Sequence, residues 1–568
     1  MVRQSFPHRA GQHLCIFSHP RIVSSPHCGD VLNMISLVAG DSWVLQAILW
    51  LPVVGAAHVI LGPESRAKIL ALVWSTLVFL LSASLWWLYN PNAGSGYQLV
   101  SSFEWIAKFG VNYALGVDGI SLFMLLLTTL ITPIAILGSF EYIKRKEKAF
   151  YSLMLMLEFA VLGVFSATDM FLFYVFFELT LIPMYFIVGI WGGSRRIYAA
   201  VKFFLFTSLG SLLMLVGILY MYSRGGSESF AFDHFLQIPL SLTEQLWLFG
   251  AFGLAFAIKI PLFPFHTWLP DAHVEAPTPG SVVLASVLLK MGTYGFVRFL
   301  LPFFPLVVSN SFIVGLVMGL GVLGILLCAW IAAVQHDAKK LVAYTSVAHM
   351  GFVVLGIFAT NEIGLQGAMI IMISHGLSTG ALFLLLGMLY ERTKTREISE
   401  FGGLAKSVPW LTTMFVVSAF ASIGVPGTSG FTGEFLALIG AFEVSPTMAI
   451  FAATGVVFAA YYMLPMVQSI FFNTKTEPEN SEIQDLTRRE SLVLIPLIVG
   501  IFWLGVYPKP FMDRMSPSLN EVIERVKDQE DLGVTLFTPG TTERRVSEDL
   551  GHVVDSWETE PTEVGGCD

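Results

Sequence analysis

Charged residues are scarce in this chain. Asp, Glu, Lys and Arg make up 13% of its 568 residues, whereas 55% are hydrophobic and the mean hydropathy is +0.71. Many stretches of about 18 residues carry no charge, and this is the length that a helix needs to cross a bilayer. They are too long and too uniform for barrel strands, which alternate polar and apolar residues. The composition therefore predicts an all-α polytopic membrane protein.

Cysteine is also rare. The four cysteines are Cys15, Cys28, Cys328 and Cys567. They show no C-x-x-C or ferredoxin-like spacing, so no ligand set for an iron–sulfur cluster or a structural zinc ion is expected. A G-x-G-x-x-G match at Gly319, Gly321 and Gly324 lies inside an apolar run, without the βαβ context of a dinucleotide site. We interpret it, together with Gly315, as a helix-packing face, and we expect no cofactor and no metal on this chain.

The two ends differ from the rest of the chain. The net charge of −9 arises largely after residue 508, so it does not indicate a nucleic-acid-binding surface. This acidic, turn-rich region predicts a mobile tail with one short amphipathic helix near Pro517–Lys527. Residues 1–33 are polar and lack the apolar core of a signal peptide. We expect that the start is mis-assigned and that the native chain begins near Met34.

The apolar runs predict fourteen membrane spans. They cover about residues 44–62, 68–90, 118–139, 149–168, 170–191, 197–222, 245–265, 278–300, 310–334, 341–359, 363–390, 408–440, 447–472 and 490–507. The twelfth is too long for one pass and contains Pro426 and several glycines, so we expect a break in its middle. The predicted domains are an extension (1–43), spans 1–3 (44–148), two repeats (149–300 and 301–472), a loop with span 14 (473–508) and the acidic tail (509–568).

The distribution of positive charge supports this count, because short cytoplasmic loops are enriched in Lys and Arg. Loops after odd-numbered spans hold 17 such residues, whereas loops after even-numbered spans hold three, namely Lys108, Arg224 and Arg298. The odd-numbered loops are therefore predicted to face the cytoplasm. Both termini then lie on the opposite side of the membrane.

Ionisable residues lie deep in several spans. Lys259, Lys290, Glu178 and Glu434 are each surrounded by apolar sequence. Burying such a charge in the bilayer costs about 2.5 to 3.5 kcal/mol on insertion scales, and the usual reason for keeping one is the movement of charge. For these four residues together, a purely structural role is the weaker interpretation.

Prolines accompany these charges. Pro183 follows Glu178 in span 5, and Pro261 follows Lys259 in span 7. Helix breaks of this kind persist in membranes where they line a hydrated cavity. Span 12 repeats the arrangement with Pro426 and Glu434. Because an offset of five spans is odd, the second five-helix unit must be inserted upside down relative to the first, as in transporters with inverted repeats.

The charges suggest a proton path. Glu178 and Lys259 are natural partners, since opposite charges 4 Å apart gain about 4 kcal/mol at an effective dielectric constant near 20. Separating such a pair favours proton release from the amine. Lys290, with His349 and His375 as imidazole relays, then leads to Glu434. For each histidine alone, a hydrogen bond to a neighbouring helix is an almost equally good explanation.

Weaker candidates are also present. Glu158 in span 4 either hydrates a proton path or is a hydrogen-bonded structural carboxylate. Lys202, near a helix end, is expected to extend its amine to the membrane interface. A polar group in the loop after span 7 has the spacing H-x4-D-x-H-x-E, which fits no standard metal site and favours proton collection or loop ordering. Its members are His266, Asp271, His273 and Glu275.

Five long segments of the chain resemble a known family over about residues 40 to 510. They are similar to the antiporter-like subunit M of bacterial complex I, whose mitochondrial counterpart is subunit 4. The segments are KIPLFPFHTWLPDAHVEAPTPGSVVLASVLLKMGTYGFVRF, ELTLIPMYFIVGIWGGSRRIYAAVKFFLFTSLGSLLML, LVAYTSVAHMGFVVLGIF, ISHGLSTGALFLLLGMLYERT and GVPGTSGFTGEFLAL. The resemblance implies a fourteen-helix subunit of the membrane arm of NADH:quinone oxidoreductase, with two inverted five-helix repeats and one proton channel.

The resemblance also implies roles for residues. Glu178 corresponds to the partner at the broken helix, Lys259 to the central lysine and Lys290 to the connecting lysine, while His349 and His375 are relay positions and Glu434 is the exit residue. NADH, FMN, iron–sulfur clusters and quinone are implied on other subunits. The implied partners are neighbouring membrane-arm subunits, including other antiporter-like ones, and the implied location is the bacterial inner membrane, with both termini in the periplasm.

Two alternatives stay open. The chain is also compatible with a subunit of a multisubunit Na⁺/H⁺ antiporter, or with a subunit of a membrane-bound hydrogenase. In the resembling family, the sister antiporter-like subunits usually carry lysine where this chain has Glu434, and subunit M carries glutamate. This residue therefore favours the respiratory enzyme.

Overall fold

The computed structural model describes residues 42–473 and 483–537, with side chains described up to residue 528. The expected start near Met34, the N-terminal extension up to residue 41 and the acidic residues 538–568 lie outside the described residues. Within the described ranges the chain is mainly helical.

The long helices follow one another as predicted. They are α1 (Ser42–Leu61), α2 (Glu64–Leu88), α3 (Gly119–Gly138), α4 (Glu147–Ser166), α5 (Met170–Trp191), α6 (Arg196–Arg224), α7 (Leu242–Lys259), α8 (Thr278–Phe303), α9 (Ser311–Ala333), α10 (Ala338–Phe358), α11 (Glu362–Thr393), α12 (Pro409–Ile423), α13 (Ser429–Val444), α14 (Pro446–Phe472), α15 (Arg488–Val506) and α16 (Lys509–Phe537). Short helices at Phe232–Leu236, Trp268–Glu275 and Pro305–Val308 lie between them.

Twelve helices in the described ranges are long and apolar enough to cross a membrane, so this is a multi-pass membrane protein. The two remaining predicted spans are the interrupted ones. Span 7 is α7, which ends at Lys259, and span 12 is divided into α12 and α13. The all-α membrane fold and the two discontinuous helices are confirmed. The total of fourteen passes and the inverted relation of the two repeats stay predictions.

Polar caps fix where several of these helices begin. Asp118 accepts hydrogen bonds from two backbone N–H groups at the start of α3, and Asn310, Asp337 and Asn361 cap α9, α10 and α11. Such caps satisfy N–H groups that the first helical turn leaves without partners. Asp118 also forms a buried ion pair with Arg298 of α8. The expectation that Arg298 lies in a loop is therefore wrong.

The span prediction did not include a β-hairpin. Strands β1 (Gln98–Ile106) and β2 (Val111–Val117) pair antiparallel between α2 and α3. Gly110, at φ +63°, forms the tight turn between them. The backbone N–H of Asn112 donates to Asp169, which caps α5, so the hairpin is fixed to the first helical repeat. Hydropathy alone does not reveal such a hairpin, because both strands are short and outside the apolar runs.

Glycines at the centre of the fold allow close helix packing. A Cβ on Gly321 of α9 would lie 3.1 Å from the carbonyl oxygen of Gly351 in α10, and one on Gly351 would lie 2.6 Å from that of Gly321. The packing interpretation is thus correct for Gly321. No described atom lies within 4 Å of a Cβ position on Gly315, so for this residue the packing interpretation stays a prediction. Cys328 is fully buried in α9, as expected for a core residue.

Helix α16 corrects the prediction for the C-terminal region. It begins at Lys509, and its apolar side chains Met515, Leu519, Val522, Ile523 and Val526 are buried. This spacing of three or four residues places them on one helix face. The amphipathic helix predicted near Pro517–Lys527 is thus confirmed, but it is longer than expected, and residues 509–528 are a packed helix rather than a mobile tail.

Candidate functional site

The first part of the site is built by the break after α7. Pro261 has no N–H, so the carbonyl oxygen of Ala257 loses its normal helical partner and accepts instead from the N–H of Leu262 at 2.8 Å. The carbonyl oxygen of Ile258 accepts from the indole N–H of Trp268 at 2.9 Å. The chain then continues as the short helix Trp268–Glu275. The break is therefore stabilised by specific hydrogen bonds and leaves Lys259 at the last helical position.

Lys259 is buried beside this break, with 1% of its surface exposed. Its Nζ lies 3.5 Å from the hydroxyl oxygen of Thr180. The amine also lies over the rings of Phe177, at 5.1 Å from the centroid, and Phe203, at 5.7 Å. Aromatic faces attract a cation, so these contacts accommodate an ammonium group with few hydrogen bonds.

The predicted direct ion pair between Glu178 and Lys259 is not present in the described chain. Helix α5 is interrupted at Thr180, where Pro183 removes a backbone donor. Phe177 and Thr180 are three residues apart and share the face towards Lys259, whereas Glu178 is rotated by about 100° around the helix. Its carboxylate lies beside Ser211 of α6, still within electrostatic reach of Lys259. We call Glu178, Thr180 and Lys259 the first cluster.

The second part of the site begins at Lys290 in α8. Its buried Nζ donates to the carbonyl oxygen of Ala285 and lies 2.7 Å from Nδ1 of His375 in α11. Two π-helical segments, Leu284–Leu288 and Phe296–Leu300, flank this turn of α8. Such segments occur frequently at functional sites, because the extra residue turns side chains away from their regular helical positions.

A row of ionisable groups continues from His375. The rings of His375 and His349 have centroids 5.7 Å apart. Nδ1 of His349 lies 2.9 Å from Oε1 of Glu434, and its Nε2 lies 3.1 Å from the hydroxyl oxygen of Ser422. We call Lys290, His375, His349 and Glu434 the second cluster. Its members come from four different helices, and the structure brings them together as the sequence predicted.

Glu434 is positioned by the break between α12 and α13. Gly424 ends α12 with φ at +82°, and a Cβ there would lie 2.8 Å from Oε2 of Glu434. Gly427 follows with φ at +88° and open space around its Cβ position. Glycine is needed at residue 424 both for its backbone conformation and for the space that the carboxylate occupies.

We expect Gly424→Ala to reduce both stability and activity. An alanine with positive φ costs about 1 to 2 kcal/mol of folding free energy, and its methyl group would displace the Glu434 carboxylate. Gly427→Ala is the matched control, since it has the same backbone strain without the contact. Thermal unfolding of the purified complex should show a lower stability for both variants, whereas proton pumping should decrease only for Gly424→Ala. Equal pumping by the two variants would contradict this assignment.

The two clusters are separate in this structure. The structure shows no hydrogen bond or ion pair between Lys259 and Lys290 within the described ranges. Lys259 contacts α5 and α6, whereas Lys290 contacts α11. The geometry therefore presents one row of neighbouring ionisable groups from Lys290 to Glu434, in which Nε2 of His375 has no hydrogen-bond partner among the described residues, and one separate amine near Glu178.

Glu158 belongs to neither cluster. It is 2% exposed in α4, and both of its carboxylate oxygens lack a hydrogen-bond partner among the described residues. The nearby Thr132 hydroxyl donates to the carbonyl oxygen of Thr128 instead. Thr132 nevertheless lies close enough to the carboxyl group to interact with it, so both interpretations of Glu158, a hydrated proton path and a structural carboxylate, stay predictions.

The polar group predicted after span 7 is not a single site. His273 is fully buried and stacks on Phe383 with ring centroids 4.6 Å apart, within electrostatic reach of Lys290. Asp271 points to another side, and Glu275 accepts from the backbone N–H of Arg195 at 2.8 Å. Successive residues of a short helix face different directions, which explains the separation. No group of three or more His, Cys, Asp or Glu residues able to hold a metal was found in the part of the chain described.

Two lysines have roles that their sequence did not suggest. Lys202 forms an ion pair with Asp271 at 2.7 Å, a partner that the expectation of an interfacial amine did not include. Lys339, at the start of α10, is buried and donates to the carbonyl oxygen of Ala276 at 2.7 Å. Neither contact was predictable, because the partner follows the helix break and lies more than 60 residues away in sequence.

Comparisons with known proteins are consistent with this geometry. A family model described as "NADH:quinone oxidoreductase/Mrp antiporter, TM" matches residues 167–459, and one described as "NADH-ubiquinone oxidoreductase chain 4, amino terminus" matches residues 66–164. The chain is 44% identical over 500 residues to NADH-quinone oxidoreductase subunit M of Rhodobacter capsulatus, covering 85% of this chain and 96% of that protein. The chain belongs to the subunit M family of NADH:quinone oxidoreductases.

Other members of the subunit M family agree. NADH-ubiquinone oxidoreductase chain 4 of Marchantia polymorpha is 39% identical over 497 residues, covering 87% of this chain and 100% of that protein. A chain in the solved structure of respiratory complex I from Thermus thermophilus with bound NADH is 35% identical, with a TM-score of 0.79, covering 85% of this chain and 99% of that one. The family resemblance inferred from the sequence is confirmed, together with the antiporter-like membrane-subunit fold.

Proposed function

We propose that this chain is a proton-translocating antiporter-like subunit in the membrane arm of a respiratory NADH:quinone oxidoreductase. The second cluster carries this proposal. An amine, two imidazoles and a carboxylate form a buried row that ends beside a helix break. Ionisable groups at membrane depth are costly, and proton relays are a common reason for keeping them. Imidazole both donates and accepts, so His375 and His349 can transmit a proton between Lys290 and Glu434.

In the proposed mechanism, quinone chemistry on other subunits supplies the free energy, and this chain moves the proton. Lys259 takes up a proton from the cytoplasmic side, and its distance from Glu178 controls how tightly it holds that proton. The arrangement with Lys259 against Thr180 corresponds to the separated state. The proton then passes to Lys290 through bridging water, and through the two histidines to Glu434 for release on the other side.

The energies are compatible with this switch. Moving one elementary charge against 100 mV costs about 2.3 kcal/mol. Forming or breaking an ion pair at 4 Å changes the free energy by about 4 kcal/mol at an effective dielectric constant near 20. One such change per cycle is therefore large enough to drive one proton across a typical membrane potential.

The proposal includes partners and location. Other membrane-arm subunits of complex I, including neighbouring antiporter-like subunits, and the lipid bilayer are the proposed partners. NADH, FMN, iron–sulfur clusters and quinone are proposed to bind to other subunits. We further propose a location in the bacterial inner membrane, with both termini on the periplasmic side, from the positive charge of the odd-numbered loops.

A subunit of a Na⁺/H⁺ antiporter or of a membrane-bound hydrogenase is the second candidate, and the family model's description includes Mrp antiporters. The contact between His349 and Glu434 favours the respiratory enzyme. The sister subunits usually carry lysine at this position, and a lysine ammonium would donate to His349, whereas the Glu434 carboxylate is a hydrogen-bond acceptor.

The test uses inside-out membrane vesicles that contain the assembled complex. We expect NADH oxidation to acidify the lumen at the same rate with or without sodium ions. Vesicles that contain this chain but lack its NADH-oxidising partners should show no pH change when a sodium gradient is applied. A sodium-driven pH change in those control vesicles would instead support the antiporter.

A further inference from the structure

An ion pair lies between the protein surface and the buried amine of Lys259. Lys202, near the start of α6, contacts Asp271, in the short helix after the break, with 2.7 Å between Nζ and Oδ2. Their side chains are 20% and 31% exposed, so water reaches the pair. Both residues lie at the ends of spans that are predicted to face the cytoplasm.

Lys202 also holds the segment that leaves the broken helix. Its Nζ donates to the carbonyl oxygen of Thr267 at 2.9 Å, in addition to the bond with Asp271. Thr267 is the last residue before the short helix Trp268–Glu275. One amine of α6 therefore fixes both the end of the irregular segment and the first turn that follows it.

The residue next to Lys202 reaches the other side of the break. The ring of Phe203 is one of the two aromatic faces against the amine of Lys259. Adjacent residues of α6 thus contact the segment after the break and the amine before it. Lys202 contacts the segment after the break, and Phe203, in the same turn of α6, contacts Lys259. A displacement of residues 260–271 relative to α6 therefore changes the surroundings of Lys259.

A buried imidazole lies in the same segment. His266 stacks on Phe263 with ring centroids 5.5 Å apart, and its Nδ1 has no hydrogen-bond partner among the described residues. It lies within electrostatic reach of Lys202. Asp271 also faces Tyr344 of α10. These groups supply proton acceptors between the exposed pair and the interior.

We propose that the Lys202–Asp271 pair is a latch that positions residues 260–271 and thereby controls proton uptake by Lys259 from the cytoplasmic side. The structure holds the latch closed. In this closed state Lys202 holds Thr267 and Asp271, and with them His266, in the positions from which a proton passes to the amine, so loss of the pair slows uptake. Lys202 and Asp271 are positioning residues, since neither contacts Lys259. The inference rests on the proposed proton-pumping function.

The experiment compares proton pumping with NADH oxidation in vesicles that contain the whole complex. The variants are Lys202→Met, Asp271→Asn and the double exchange Lys202→Asp with Asp271→Lys. Glu141→Gln is the matched control, because it removes the Glu141–Arg489 pair, at 3.1 Å, from the same membrane face. Each variant is measured at several values of pH on the cytoplasmic side.

We expect each single variant to lower pumping by about fivefold, the size of effect that one partly exposed ion pair has. Because uptake then limits turnover, pumping should decrease by up to about tenfold per unit of rising cytoplasmic pH, a dependence that the wild type lacks. The double exchange restores the ion pair but not the bond from residue 202 to the Thr267 carbonyl, so it should recover part of the rate and part of the pH profile. Glu141→Gln should change neither.

Two results would overturn the latch. One is wild-type pumping and pH dependence in both single variants. The other is a decrease in pumping by the same factor at every pH, with no recovery in the double exchange. That result would mean that the ion pair only stabilises the fold. Lys259→Ala is measured in the same vesicles to test the proposed function separately. Normal pumping by Lys259→Ala refutes the proposed function, whatever the latch variants show.

Discussion

Replacing Lys259 with alanine should abolish proton pumping by the assembled complex, while NADH oxidation with a soluble electron acceptor continues. The amine lies at the last helical position before the break after α7, and it is buried against two aromatic rings. A positioned proton donor typically contributes a factor of about 10² to 10⁴, so we expect at least a hundredfold loss. Proton pumping per NADH oxidised in inside-out vesicles measures the effect.

Lys259→Arg distinguishes proton release from the presence of charge. A guanidinium keeps the positive charge but holds its proton under all physiological conditions, so this variant should also fail to pump. The exposed residue Lys144 provides the control, and Lys144→Ala should pump normally. Co-purification of the partner subunits shows that each variant assembles. Normal pumping by either assembled Lys259 variant would refute the mechanism.

Replacing Glu434 with glutamine should have the second largest effect. Glutamine has nearly the same volume, and its carbonyl oxygen still accepts from Nδ1 of His349, so local packing is preserved. It does not bind and release a proton, and the row from Lys290 therefore loses its last acceptor. We expect pumping to decrease by about a hundredfold, and coupled NADH oxidation to slow with it.

Two variants of the same helix sharpen this test. Glu434→Asp keeps a carboxylate but withdraws it by one methylene from His349, so it should retain partial activity. Glu443→Gln removes an exposed carboxylate from the same α13 helix, where its hydrogen-bond partner among the described residues is Asn361, and should have little effect. If Glu434→Gln pumps like the wild type, Glu434 is a structural partner of His349 and the exit lies elsewhere.

The sequence predicted the fold well because the bilayer restricts the possibilities. Apolar stretches of sufficient length must be helices, and prolines beside charges predicted the interruptions of spans 7 and 12. The hairpin of β1 and β2 was missed, since strands of nine and seven residues are too short to form an apolar run of membrane-spanning length. The length of α16 was also missed, because its apolar residues form only one narrow face on an acidic background.

The site was predicted in part. Buried charge identified Lys290, His349, His375 and Glu434, and the structure brings them into one row. The prediction of a direct ion pair between Glu178 and Lys259 was wrong, because the sequence does not show how far an interrupted helix rotates its side chains. His273 was placed in a polar loop for the same reason, although it is buried in the structure.

The sequence by itself determined the membrane-embedded helical class, the family and the ionisable residues of the second cluster. These properties depend on composition, spacing and long matching segments, which are local along the chain. Only the tertiary structure decided which groups touch, including the contact of Lys259 with Thr180 and the pairing of Lys202 with Asp271. The reason is physical, since side-chain partners across helix breaks depend on the rotation and depth of each helix, and these are set by packing between distant segments.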